Sequence, residues 1–430
     1  MSSNASAASP TPPRRSLARD GGFLRFWAAE TISHLGSSIT GIALPLVAIK
    51  ILDAGASEVA LLNLADFLPF LLIGLIAGAV VDRLPRRAVL VAGDLGRAAL
   101  LALIPLAHLG GWLSLPLLLA VGFLVGTLTV FFDVAYQSFL PSLIRKEDLV
   151  EGNSKLEVSR TAAQLAGPAA GGSLLSLIAA PLAILVDAAS FALSALFIFS
   201  IRGHGDDRPA PAPDADGARR SLGGEIGDGV RFVFGHPALR TIGAATATSN
   251  LFGTIGNTLL VLFAVRELDM SPALIGLTFS LSGVGGLLAA LSAGRITRRL
   301  GVGPTIVLSI PWSGPLLAAV ALGERGNDLR NVALVAASGF AGIASGTLYN
   351  INQVSYRQAI TPEPMQGRMN ATMRWFVWGT IPVGALLGGL IGETLGLRPA
   401  LLIGGIGATF AFVPLLFGPV WKIRTMPEGA

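Results

Sequence analysis

The stretch Pro181-Leu-Ala-Ile-Leu-Val-Asp187-Ala-Ala-Ser190-Phe191-Ala-Leu-Ser-Ala-Leu-Phe-Ile-Phe-Ser-Ile201 contains one ionisable side chain, Asp187, in an otherwise apolar run. A helix of this length rises roughly 30 Å, the thickness of a bilayer's hydrocarbon core, and a helix apolar all round must be buried on every side. The run therefore reads as a membrane span. Comparable runs precede it at 24–50, 57–81, 88–108, 112–132 and 156–178. A second series follows at 239–265, 272–294, 303–322, 331–356, 371–392 and 397–421. Gly110-Gly111 divides one nearly continuous pair of runs and Ala180-Pro181 the other, because Gly and Pro interrupt helices.

Composition agrees with twelve spans. Of 430 residues 52% are hydrophobic and 13% charged, against roughly 25% charged in soluble domains. The 53 glycines suit closely packed membrane helices. No cysteine is present, which excludes a disulfide framework and thiol chemistry. The formal charge of +5 is spread over short loops rather than gathered in a patch, so no nucleic-acid partner is expected. Arg83, Arg86, Arg87, Arg145, Lys146, Arg298, Arg299 and Arg368 fall on the side of the termini, whereas the opposite loops hold only Lys50, Arg266, Arg325, Arg330 and Arg398. Basic loops stay in the cytoplasm, which predicts a multi-pass protein of the cell membrane with both termini cytoplasmic.

The expected organisation is a tail (1–22), a six-helix bundle (23–201), a linker (202–238), a second six-helix bundle (239–421) and a short tail (422–430). The linker carries the Pro/Ala run Pro209–Pro213 and then Leu222, Ile226, Val230 and Phe234 at four-residue spacing, the pattern of a short amphipathic helix on the membrane surface. The bundles are related by an internal repeat. Asn153, Gly167, Gly171 and Gly172 recur as Asn370, Gly384, Gly388 and Gly389, an offset of 217 residues, and Gly78 with Arg83-Leu84 recurs as Gly294 with Arg299-Leu300. The fold class is thus all-α, two pseudo-symmetric six-helix bundles, the signature of a transporter that rocks about a central site.

Two motifs sharpen this. Gly78-Ala-Val-Val-Asp82-Arg83-Leu-Pro85-Arg86-Arg87 resembles the signature loop of the major facilitator superfamily, with Pro85 where the pattern has Gly. In that family an Asp at the inner end of span four pairs with the loop arginines, and Asp133 matches it. The resemblance assigns Gly78, Asp82, Arg83, Arg87 and Asp133 to gating. Ala163-x-x-x-Gly167-Pro168-Ala-Ala-Gly171-Gly172 is similar to the antiporter motif of the same superfamily, with Ala163 replacing its first Gly. That motif implies drug:proton exchange rather than uptake. Together with 361–389, the region from Phe132 to Gly172 is similar to the macrolide-efflux and enterobactin-exporter-like branch.

Ionisable groups inside spans are costly and mark function. They are Glu30, Asp66, Asp94, Arg97, Glu157, Arg160, Asp187 and Arg374, and the acids lie only in the first half. Asp94 and Arg97 share a helix face, which suits a structural pair. Glu30 has no cation at helical spacing except Arg25 near the surface, so it is the first candidate for proton coupling, with Asp66 or Asp94 beside it. For the solute, Asn63, Asn250, Asn257, Tyr349, Asn350 and Gln353 offer polar contacts, and Trp375 and Trp378 aromatic walls.

The expected function is secondary export of an amphipathic small molecule, drug, macrolide or siderophore-like, by proton antiport with alternating access. An uptake permease for a metabolite and a non-transporting receptor or scaffold are the alternatives. An enzyme is not expected: His34, His108, His204 and His236 have no metal-ligand spacing, and neither a nucleophile elbow nor a phosphate loop occurs. No cofactor is implied. The expected partners are the solute, protons and lipid, with the chain a monomer.

Overall fold

The computed structural model describes residues 17, 20–81, 84–144, 148–201, 222–362 and 365–425. The first half comprises α1 (Gly21–Ile51), α2 (Ala56–Val81), α3 (Arg86–Leu109), α4 (Leu115–Leu143), α5 (Leu149–Leu175) and α6 (Ala180–Phe199). A surface helix α7 (Leu222–Gly235) leads into α8 (Pro237–Arg266), α9 (Pro272–Leu300), α10 (Val302–Ser309), α11 (Ser313–Val320), α12 (Asp328–Ile360), α13 (Gln366–Trp378), α14 (Thr380–Thr394), α15 (Leu397–Thr409) and α16 (Val413–Leu416). Eleven stretches among the described residues are long and apolar enough to cross a membrane. The remaining predicted span, α5, is a helix of 27 residues whose first half carries Lys155, Glu157 and Arg160. Those charges explain why it is the least apolar of the twelve.

Local chemistry sets the ends. The Asp20 carboxylate accepts from the Phe23 amide at 2.8 Å and caps α1. Ser271 caps α9 with Pro272 in its first turn, and Gly301 closes that helix at a φ of 92°, a conformation open to glycine. Pro85 stands just before α3 with its φ of −61° already extended toward the helix, so the residue that departs from the family pattern serves as a helix start.

Three predicted spans are interrupted. The ninth breaks at Ile310-Pro311-Trp312 between α10 and α11, where proline lacks an amide donor. The Ser345 hydroxyl on α12 donates to the Ser309 carbonyl at 2.5 Å, satisfying a backbone group near the break. The eleventh bends at Gly379 between α13 and α14, and the twelfth passes from α15 through a short 3₁₀ turn to α16.

The glycine repeat has a direct geometric meaning. A Cβ on Gly171 would lie 3.2 Å from the Ile39 Cα on α1, whereas one on Gly172 would lie 3.0 Å from the Gly276 Cα on α9. Correspondingly, Gly388 faces Ile255 on α8, and Gly389 faces Ser57 and Ala60 on α2. In each half the first glycine packs inside its own bundle and the second packs against the other bundle.

Apolar packing is organised around the same contacts. One buried cluster runs through both halves at the end away from the termini, from Leu46, Val59 and Ile184 to Phe263, Leu317 and Leu401. At the terminal end the core divides into two clusters. One, around Phe26, Leu90 and Phe139, belongs to the first half, and the other, around Leu239, Ile306 and Met373, to the second. The halves are joined at one end and separate at the other.

Helix α7 forms, but its packed face is turned by one residue from the predicted stripe. Gly229 lies against the Thr372 hydroxyl and the Arg368 backbone of α13, and Val233 is buried, whereas Val230 is exposed. Phe234 meets Phe376 edge-on at 5.2 Å. Four-residue spacing drifts around a helix by about 40° per step, so a stripe read that way leaves the contact line. The side chains of Leu222 and Ile226 lie outside those described.

Candidate functional site

Between the separated ends lies a cavity of about 1340 Å³, walled almost wholly by the first half and touched from the second by Leu287 of α9. It reaches from Leu44 and Leu62, near the joined end, to Tyr136 and Glu157 toward the terminal end. A smaller cavity of about 330 Å³ adjoins it between α2 and α4 on one side and α13 on the other, with Asp133 lining both.

Of the predicted proton-coupling residues, Glu30 and Asp66 line the large cavity. Glu30 is 5% exposed and its Oε1 meets no hydrogen-bond partner, while its Oε2 lies 3.8 Å from His34 Nε2 one turn on. Asp66 faces the cavity from α2, one turn from Asn63. Asp94 does not line it. It is fully buried, with Oδ1 accepting from Arg97 at 2.5 Å. The Arg97 guanidinium lies 4.2 Å from the ring centres of both Phe132 and Phe191. Carboxylate on one edge and rings on both faces hold this cation in place, so the pair builds a wall rather than a mobile charge.

Two further cavity groups, Asp187 and His34, were not among the predicted proton-coupling residues. Asp187 accepts from the Ser190 hydroxyl at 3.0 Å and from Ser37 at 3.4 Å. A Cβ on Gly36 would fall 2.6 Å from its Oδ1, so only glycine leaves room for this carboxylate beside α1. His34 is the other. Its i+4 relation to Glu30 was readable in the sequence; that both side chains turn toward one space required the packing of α1 on α5 and α6.

The gating assignments separate. Asp82 and Arg83 lie outside the described residues, and Gly78 falls in the last turn of α2. Arg87 donates from Nε to the Ile198 carbonyl at 3.3 Å, also binds the Phe199 carbonyl, and stacks on the Phe199 ring, so it caps the end of α6. Asp133 lies three residues before the end of the apolar stretch Leu115–Tyr136. It stands ten residues before Leu143, faces both cavities, and looks across the smaller one toward Arg374. The helix itself continues to Leu143.

Among the second-half solute candidates, Asn250, Tyr349 and Gln353 are held between helices, whereas Asn257 and Asn350 are exposed. Asn250 donates to the Val377 carbonyl at 3.1 Å, joining α8 to α13, and Asn257 donates to Gly253 within its own helix. Tyr349 is buried in the second-half core with its hydroxyl 2.6 Å from that of Thr246. Gln353 is buried and donates to Asn350 at 3.0 Å. None of these five lines either cavity. A polar side chain in lipid or core finds a helix partner first, and helical spacing alone does not reveal which face is wet. Asn63 lines the large cavity, and Trp375 and Trp378 line the small one.

The small cavity is aromatic. Phe67 and Phe70 of α2 meet Trp378 at 6.5 and 6.3 Å, nearly edge-on, and the Arg374 guanidinium lies 4.4 Å from the Trp378 ring centre. At the joined end, an Arg266–Asp53 ion pair at 2.7 Å and a hydrogen bond from Ser57 to Glu393 span the halves. In the antiporter motif Gly167 touches Ser38, and the Ser280 hydroxyl of α9 accepts from the Ala169 amide at 2.9 Å, one residue beyond Pro168.

A pseudo-symmetric pair of helix bundles, closed at one end around an intramembrane acidic cavity, defines a membrane transporter. The chain belongs to the transmembrane secretion effector family of the major facilitator superfamily, whose model matches residues 15–426. It is 26% identical over 404 residues to the multidrug efflux pump Tap of Mycolicibacterium fortuitum, covering 90% of this chain and 94% of that one. It is also 26% identical over 392 residues to the uncharacterized MFS-type transporter YfiS of Bacillus subtilis (strain 168), covering 89% and 90%. In structure it is similar to a bacterial homologue of the iron transporter ferroportin in an inward-facing state, with a TM-score of 0.73, 17% identity and coverage of 94% and 99%. A bacterial homologue of the lysosomal transporter Spinster, inward-facing and unoccupied, gives 0.69, 14%, 96% and 100%. Family and relatives are transporters of small solutes rather than enzymes, and so is this protein.

Proposed function

We propose that the protein is a secondary exporter of amphipathic small molecules, driven by proton antiport through alternating access. It works as a monomer in the cytoplasmic membrane with both termini inside. The observation that carries this is Glu30: a buried carboxyl with one unpartnered oxygen, in the wall of a cavity whose closed end lies away from the termini. An acid in such a wall must bind a proton or a partner when water leaves, which couples its proton to closure of the cavity. The excess of Lys and Arg on the terminal side supports a cytoplasmic opening. Efflux relatives at 26% identity and the small-residue packing of Gly167, Pro168, Gly171 and Gly172 favour export. Residues 23–201 and 239–421 are the rocking units, joined by 202–238, and Gly78, Asp82, Arg83, Arg87 and Asp133 gate the cytoplasmic side.

The test is accumulation of a panel of amphipathic antibiotics and dyes in cells lacking their own pumps, with and without the protein, repeated with a protonophore. Export by antiport requires that one class be excluded only while the proton gradient stands. Raised accumulation would instead make the protein an uptake permease.

A further inference from the structure

We infer that His34 is the proton relay of the transport site, taking the proton from Glu30 and passing it to the water of the large cavity. This role deepens the proposed function and rests on Glu30 being its proton carrier.

A sealed carboxyl needs a route for its proton. The Glu30 side chain is 6% exposed, and its Oε1 is buried without a hydrogen-bond partner. At the other oxygen, His34 Nε2 lies 3.8 Å from Oε2, and among the described residues no other side chain is paired or hydrogen-bonded with this carboxyl. His34 itself is 37% exposed and lines the cavity. The imidazole therefore bridges a buried acid and open water. Both residues stand on α1, one turn apart, so rocking of the halves does not part them.

The other titratable groups around the pair are engaged elsewhere or stand apart from it. Asp94 and Arg97 of α3 are joined at 2.5 Å, and Arg160 and Glu157 of α5 at 2.9 Å. Asp187 of α6 accepts from Ser190 and Ser37. Asp66 of α2 and Asp133 and Tyr136 of α4 line the same cavity, and among the described contacts none of the three is bonded to Glu30.

Neutral imidazole accepts a proton at one ring nitrogen and, once charged, releases one from the other. The Glu30 O–H bond breaks as the Nε2–H bond of His34 forms. The imidazolium then loses its Nδ1 proton to cavity water, and rotation of the ring restores the starting tautomer. One proton has moved from Glu30 to water, and no other reactant is consumed. A small side-chain rotation closes the 3.8 Å separation to the roughly 2.6–3.2 Å that proton transfer requires.

The experiment is stopped-flow infrared spectroscopy of the full chain in nanodiscs after a jump from acid to alkaline pH, with no solute present. The Glu30 carboxyl band is the one missing from Glu30→Gln. His34→Ala should slow the loss of this band at least about tenfold, and imidazole added to the buffer should recover most of the rate. A merely structural role for His34 would not be rescued by a diffusible base. Unchanged loss of the band in His34→Ala, or slowing that imidazole does not relieve, would overturn the relay and leave Glu30 as the proton carrier. Absence of any Glu30 band that titrates would overturn both the relay and that reading of Glu30. If His34→Ala does not fold, His34→Gln takes its place and the rate alone decides.

Discussion

At the scale of single residues, two carboxylates of the first half, Asp94 on α3 and Asp66 on α2, have opposite parts. Asp94 is sealed against Arg97, and removing one partner of a buried pair strands the other charge at a cost of about 3–5 kcal/mol. Asp94→Ala should therefore lower the melting temperature of the detergent-solubilised protein sharply, whereas Asp66→Asn, facing the cavity, should leave it within about a degree or two. Equal melting of the two variants would show that Asp94 is not structural. Glu30 is in the wall with no Lys or Arg among the described residues paired to it, so Glu30→Gln should abolish pH-driven exchange while the protein still folds. Full antiport in that variant would remove Glu30 from the coupling mechanism. Both distinctions were half legible in the sequence. Three-residue spacing suggested the Asp94–Arg97 pair, and a lone intramembrane acid suggested Glu30. What spacing could not supply was facing, which turns Asp133 toward both cavities and gathers Asp187 and His34 into the wall of the larger one.

At the scale of elements, the α5–α9 and α14–α2 contacts join the halves through glycines. A Cβ on Gly276 would lie 2.2 Å from the Pro168 carbonyl oxygen and 3.0 Å from the Gly172 Cα, both backbone atoms that no rotamer change can move. Gly276→Ala should therefore pry open the joined end. With no native cysteine, Asn63→Cys is a unique reporter inside the cavity. Adding Gly276→Ala should raise its labelling from the outer face by an impermeant maleimide at least several-fold; no change would mean the halves part elsewhere. The repeat that identifies these contacts was visible as a constant offset of 217 residues, because tight helix crossings tolerate only small residues. The face of α7 was not, since a 14-residue helix with Gly at three positions in its first half offers little pattern.

At the scale of the whole molecule, two halves share one apolar cluster at one end and hold separate clusters at the other, the arrangement that the proposed alternating access requires. The apolar runs were plain in hydropathy, since a bilayer leaves few ways to bury so much apolar surface, whereas their division into twelve rested on Gly110-Gly111 and Ala180-Pro181 and the two-fold relation on the glycine repeat. Sidedness follows from the basic loops: Gly111→Cys should label from outside intact cells and Lys422→Cys only after permeabilisation. The most direct test of proton-driven export is lumenal pH in proteoliposomes. They would be loaded with a compound that the accumulation panel shows to be excluded, diluted into compound-free buffer and clamped at zero membrane potential. Antiport predicts that the lumen acidifies as the compound leaves, and that Glu30→Gln vesicles and empty liposomes do not. Efflux of the compound with no change in lumenal pH would contradict proton exchange.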